Sequence, residues 1–208
     1  MMSQHRAQTL LLLGLTAVFI GYLTVWLPGP SVGLQFLGFE MGEWTKFLGM
    51  NTRRNIFYLP PIFLSAILLL LTLTWSPKRW QTWVWRLGTI AISFLAFPAI
   101  EDLRGATQAE YTPRLLSIGF IILLALFVSL LGWFFGERPW LQQINLGGIA
   151  LLAFAGIVLP TQVYLEVKTA VIPLFNTNVG VGWGVWLNGL GFTLILLISI
   201  YQIIRRNH

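Results

Sequence analysis

Six stretches of nearly unbroken apolar residues alternate with shorter polar segments. They run Ala7–Leu27, Ile56–Trp75, Trp83–Ile100, Leu115–Phe135, Leu146–Val163 and Trp183–Ile204. A bilayer's hydrocarbon core is about 30 Å thick, and a spanning helix needs about 20 mostly apolar residues. Each stretch therefore predicts a transmembrane helix. The third is the weakest, because Arg86 falls inside it. Arg86 lies within a turn of the expected span end, so its guanidinium is expected to snorkel to the headgroups. The first stretch follows a basic start, yet no small-x-small cleavage site precedes Pro28-Gly29-Pro30. It is read as a retained span and not as a removed signal. The expected fold is an all-α integral membrane protein, residues 1–208 forming one six-helix bundle.

Punctuation suggests three helical hairpins. The outgoing spans end alike, in Trp26-Leu27-Pro28, Ala96-Phe97-Pro98 and Val158-Leu159-Pro160. Two return spans end in Ser76-Pro77-Lys78-Arg79-Trp80 and Gly136-Glu137-Arg138-Pro139-Trp140. Proline lacks an N–H and clashes with the preceding turn, so it closes helices. Trp26, Trp75, Trp83, Trp133, Trp140 and Trp183 fall at the span ends, where indole prefers headgroup level.

Charge then sets orientation. With both termini cytoplasmic, that side holds Arg6, Lys78, Arg79, Arg86, Arg138, Arg205 and Arg206 against Glu137 alone. The other side holds Lys46, Arg53, Arg54, Arg104, Arg114 and Lys168 against six acids. Cationic density is higher on the first side because its loops are shorter, as the positive-inside rule requires. Short loops without a glycosylation acceptor fit a bacterial plasma membrane.

Composition narrows the function classes. Of 208 residues, 56% are hydrophobic and only 10% charged, against roughly 25% charged in a soluble domain. This excludes a soluble enzyme, a disordered chain and a nucleic-acid-binding domain; the net charge of +6 is not gathered in one patch. Cysteine is absent, and the two histidines, His5 and His208, lie in the tails. Histidine-ligated metal or haem and a Ser-His pair within the membrane are thereby excluded. No metal or cofactor is expected. No carboxylate, lysine or histidine sits at the middle of a span, which argues against an autonomous ion-coupled carrier.

Candidate chemistry is confined to the three outer loops. In the first, Leu34, Leu37, Met41, Trp44 and Leu48 form an apolar stripe at helical spacing, with Glu40, Glu43 and Lys46 mostly opposite. This predicts a helix lying in the outer interface. Arg53 and Arg54 follow; a guanidinium fork suits phosphate or carboxylate. They are read either as an anion site or as an anchor paired with Glu40 or Glu43. In the second loop, the adjacent Glu101 and Asp102, with Arg104, are candidates for a ligand entrance or, less specifically, for acid–base chemistry. In the third, the alternation over Gln162–Lys168 predicts a short extended piece. Gly180, Gly184 and Asn188, with Gly191 beside them, form a stripe of small residues on the last span. Such stripes let helices approach closely, within the bundle or against another subunit.

No phosphate loop, nucleophile elbow or zinc signature occurs. In size and topology alone, the chain is similar to the vitamin-binding subunits of energy-coupling-factor transporters. The sequence leads to three expectations of function. The first is a non-enzymatic permease-type or accessory subunit that works with a membrane-protein partner or a second copy. The second is a solute-binding or translocating protein using Arg53, Arg54, Glu101, Asp102 and Arg104. The third is a lipid-modifying enzyme with carboxylates at the outer leaflet.

Overall fold

The computed structural model describes residues 4–29, 34–100, 103, 108–135 and 138–206. The chain is a helical membrane bundle with a small folded cap at one end. Seven α-helices are described: α1 (Gln4–Leu23), α2 (Gly38–Trp44), α3 (Leu59–Leu71), α4 (Trp80–Ser93), α5 (Gln108–Phe135), α6 (Pro139–Phe175) and α7 (Trp183–Arg206). Two short strands, β1 (Val25–Leu27) and β2 (Phe36–Leu37), pair antiparallel after α1. The described chain is otherwise helical, in keeping with the expected all-α membrane bundle.

Among the described residues, five segments are long and apolar enough to cross a membrane: Arg6–Leu23, Thr52–Thr74, Ala109–Phe135, Trp140–Phe175 and Trp183–Arg205. The Thr52–Thr74 segment is central, since 72% of its window is buried against 28–39% for the others. Its α-helix is flanked by 3-10 turns at Asn51–Tyr58 and Thr72–Thr74. The α-helix of the expected third span is too short to cross by itself. Its 14-residue helix α4 is about 21 Å long at 1.5 Å per residue. It tightens into a 3-10 turn at Phe94–Ala96, and Phe97 is extended. Pro98 disfavours helical backbone at the preceding residue, which accounts for the stop.

The tightest helix pair is α1 with α7, and glycine makes it possible. A Cβ on Gly191 would lie 2.6 Å from the Gly14 carbonyl oxygen, and one on Gly21 would lie 2.7 Å from the Asn188 nitrogen. The two backbones nearly touch, as small residues permit in lipid. Gly14 meets Gly191 and Gly21 meets Gly184, so the helices are antiparallel. The start of α1 and the end of α7 therefore share one end of the bundle, here the terminal end. The other is the cap end.

The cap is where sequence expectation departs most from the structure. The residues from Leu34 to Leu48 do not form one interfacial helix. They form β2, the seven-residue α2 and a 3-10 turn at Thr45–Leu48, folded down onto the bundle. Met41 is fully buried, and Trp44 stacks on Phe36 with centroids 4.4 Å apart. Glycine again sets the approach: a Cβ on Gly42 would strike the Tyr58 ring. At the start of α2, Glu40 Oε2 accepts a hydrogen bond from the Leu37 N–H (2.9 Å), the reach-back of an N-terminal cap.

Gln162–Lys168 is helical and lies inside α6, so the extended piece is also corrected. Val163, Tyr164, Val167 and Val171 are buried at spacings of one, four and eight from the first, one face of a helix. The 37 residues of α6 extend about 55 Å, well beyond a span, and the excess forms a wall of the cap. Trp26 is a further correction. It is 1% exposed, donates Nε1–H to the Gly21 carbonyl (2.8 Å) and meets Phe57 and Tyr164 edge-on. It is the centre of the cap core and not a headgroup anchor.

Candidate functional site

A charged cluster stands at the base of the cap, where α2, the 3-10 turn before α3 and the first turns of α5 converge. Arg54 comes from the 3-10 turn and Arg114 from α5, and both side chains are buried (1% and 2% exposed). Arg114 Nη2 donates to Glu43 Oε1 at 2.6 Å. Arg54 Nη2 donates to Glu110 Oε2 at 2.9 Å, and its Nη1 lies 3.7 Å from Glu43 Oε2. Each buried guanidinium thus faces a carboxylate, as a buried charge requires; the carboxylates themselves are partly exposed, and Lys46 Nζ also lies 4.0 Å from Glu43 Oε2. The Tyr58 hydroxyl also donates to Glu43 Oε1 (3.0 Å).

Asn55 locks the two helices together. Its Oδ1 accepts from Arg114 Nε (3.1 Å), and its Nδ2 donates to the Glu110 backbone carbonyl (2.9 Å). The guanidinium of Arg114 covers the Tyr58 ring at 3.5 Å, and Tyr111 lies 4.8 Å from each arginine. Partly desolvated arginine over an aromatic face is favourable. Arg54 Nε and Nη1 have no hydrogen-bond partner among the described residues.

Burial alone would raise the pKa of Glu43. The hydrogen bond and charge of Arg114, the Tyr58 hydroxyl and the Arg54 charge outweigh it and hold the carboxyl below its ordinary value. At neutral pH Glu43 is thus an anionic anchor for two arginines and not a proton donor.

Arg114 and Asn55 also line a cavity of about 230 Å³ whose other walls include Thr52, Tyr58, Leu59, Ile62 and Ala96. A second, largely apolar cavity of about 330 Å³ adjoins it, sharing Leu59, Ile62 and Ser117, with Phe63, Ala66, Leu116, Phe120 and Leu152 beyond. Together they form a mainly apolar cleft between α3 and α5, with Thr52, Asn55 and Arg114 on its wall at the cap end.

Of the residues singled out in the sequence, Arg54 and Glu43 meet in this cluster. Arg53 does not join them; it is exposed and pairs with Glu166 on α6 (2.9 Å). Adjacent residues on a 3-10 turn, with three residues per turn, point about 120° apart, so the two arginines serve different helices. Glu40 is engaged in capping α2. Glu101, Asp102 and Arg104 lie outside the described residues. Gly184 and Gly191 pack against α1, and Gly180 lies near Pro28, within the chain. Asn188 is buried in the same contact, its Oδ1 without a hydrogen-bond partner among the described residues.

Sequence reasoning missed Arg114, Glu110, Tyr111, Asn55 and Tyr58. A signal was present for one pair: Glu110 and Arg114 are four apart at the cap end of an apolar run, so they share a helix face.

Arg86 corrects another expectation. It does not snorkel. It is 2% exposed, and its guanidinium donates to Thr72 Oγ1 (3.2 Å), the Thr72 carbonyl (3.3 Å) and Ser129 Oγ (3.0 Å).

Comparison with protein-family models, curated proteins and solved structures yields no match to this chain.

Proposed function

We propose that this protein is a non-enzymatic, six-span membrane protein that binds an amphiphile in the α3–α5 cleft, as a permease-type or accessory component. The head group, rich in hydrogen-bond acceptors, sits against Arg114, Asn55 and Thr52. The apolar tail runs past Leu59, Ile62 and Phe63. The observation that carries this reading is a mainly apolar trough whose cap-end wall includes three polar side chains, Thr52, Asn55 and Arg114. Ligand sites of this kind combine an apolar lining with a few convergent polar groups. The engagement of Glu43 with two arginines supports binding over acid–base catalysis.

In this reading α4 and its 3-10 extension are the sixth crossing, and the terminal end faces the cytoplasm of a bacterial cell. The density of Lys and Arg in the terminal-end loops supports that orientation. The glycine–asparagine stripe joins α7 to α1, so a partner protein or second copy would dock elsewhere.

The test uses dodecyl phosphate and dodecyl maltoside, two probes with one tail length. Dodecyl phosphate is expected to raise the melting temperature of the purified protein above the maltoside value by linkage to the folded state. Ser117→Trp, which fills the shared wall without touching the charged cluster, should abolish the difference. Equal melting in the two probes, or an unaltered difference in Ser117→Trp, would overturn the assignment.

A further inference from the structure

The terminal end carries a second cleft, formed by two cavities that share Thr74 and Trp75. The first, about 410 Å³, is lined by four carboxamides, Gln8 from α1, Gln142 and Asn145 from α6, and Gln202 from α7. Asn145 is 8% exposed; its Nδ2 donates to the Leu70 carbonyl (2.9 Å), while its Oδ1 has no hydrogen-bond partner among the described residues. A buried acceptor left unpaired is costly, and a hydroxyl would satisfy it. The second cavity, about 640 Å³, is lined by Lys78 and Arg138 together with Gly132 and the exposed Trp133 and Phe134.

Arg86 stands directly behind that second cavity. A Cβ on Gly132 would lie 3.5 Å from Arg86 Nη2. The partners of Arg86 are all neutral: two hydroxyls and a carbonyl. Among the described residues, no carboxylate forms an ion pair with Arg86, Lys78 or Arg138. Three cations thus converge without a compensating acid among the described residues, and the buried one keeps much of its field because little water screens it. Glu137, the one acid near this end in sequence, lies outside the described residues.

The geometry points to a bound anionic phospholipid with a hydroxyl-bearing head group in this cleft. Its phosphodiester lies between Lys78 and Arg138, in the field of Arg86. Its hydroxyls reach past Trp75 to the carboxamides, with Asn145 Oδ1 as acceptor. An ammonium head group would call for a carboxylate, and none lines either cavity among the described residues. The exposed Trp133, with its indole N–H, and the apolar Phe134 provide the aromatic surface on which glycerol backbone and chains rest. This site is independent of the α3–α5 cleft.

The test is run on the Ser117→Trp background, so that the cap-end cleft contributes nothing. The protein is placed in phosphatidylcholine nanodiscs doped with phosphatidylglycerol, phosphatidic acid or phosphatidylethanolamine. Retained lipid is read by native mass spectrometry and stability by melting temperature. Phosphatidylglycerol is expected to be retained and to stabilise most, phosphatidic acid less, phosphatidylethanolamine not at all. Replacing both cations, Lys78→Gln with Arg138→Gln, should weaken retention of both anionic lipids roughly tenfold or more, the scale of lost charge-assisted hydrogen bonds. Gln142→Leu should erase the preference for phosphatidylglycerol over phosphatidic acid while leaving anionic lipids favoured. No preference for anionic over zwitterionic lipid, or indifference to the double substitution, overturns the proposal. Equal stabilisation by soluble glycerol 3-phosphate would overturn the assignment to lipid. Destabilisation by Glu137→Gln without any gain from anionic lipid would make Glu137 the missing anion and also overturn it.

Discussion

Replacing Glu43 with glutamine tests whether the cap is held by charge. The change keeps the side chain's size and an oxygen acceptor for Tyr58. It removes the negative charge that faces Arg114 at 2.6 Å and Arg54 at 3.7 Å. Removing one partner of a buried ion pair costs about 3–5 kcal/mol, because the other charge is left uncompensated. Glu43 itself is 38% exposed, so water and salt recover part of that, leaving about 2–3 kcal/mol. For a chain of this length each kcal/mol moves the melting temperature by about 2–4 °C, so a drop of roughly 4–12 °C is expected. The control is Arg53→Gln, which breaks the exposed pair with Glu166 and should cost only about 0–1 kcal/mol. Both are read by differential scanning fluorimetry in one detergent.

The pH dependence supplies a second reading of the same group. Because the folded state holds the Glu43 pKa below its ordinary value, its contribution is present above the unfolded pKa of about 4.3 and fades as pH falls through the folded one. The wild-type melting temperature should therefore fall more steeply on acidification below about pH 4.3 than that of Glu43→Gln. If Glu43→Gln and Arg53→Gln melt within a degree or two of each other, and their acid profiles coincide with the wild type, the electrostatic account of the cap is wrong.

Two further substitutions test the bundle. Gly191→Leu places a Cβ 2.6 Å from the Gly14 carbonyl; the α1–α7 pair cannot close, and loss of the monodisperse peak in size-exclusion chromatography is expected, with Gly191→Ala milder, at about 1–3 kcal/mol. Arg86→Met removes a buried cation whose partners keep other bonds, Thr72 Oγ1 to Leu69, Ser129 Oγ to Ala125 and the Thr72 carbonyl to the Trp75 N–H. In zwitterionic nanodiscs it should melt at or above the wild type, as isosteric replacement of buried charge often does. A drop of more than about 3 °C, roughly 1 kcal/mol, would show that Arg86 is needed for the fold itself.

The membrane-embedded helical character of the chain was legible in one dimension. Apolar runs of spanning length report it without tertiary knowledge, because lipid rewards a local property of the chain: a continuous apolar surface over hydrogen-bonded backbone. The glycines of α7 were legible for the same reason, as close approach between helices needs small residues whatever the partner. What sequence did not yield was everything that depends on the partner. Arg53 and Arg54 look alike in sequence, yet one lies on the surface beside Glu166 and the other is buried against Glu43 and Glu110. The alternation over Gln162–Lys168 reads as a strand until the burial of Val163, Tyr164 and Val167 reveals a helix face. Trp26 reads as an anchor until the hairpin and α2 close over it. Arg114, fifty-nine positions from Asn55, enters the cluster only when α3 and α5 lie side by side. Hydropathy is a sum over neighbours in the chain, whereas the pairing of charges and the walls of a cleft are set by neighbours in space, and only the folded bundle brings those together.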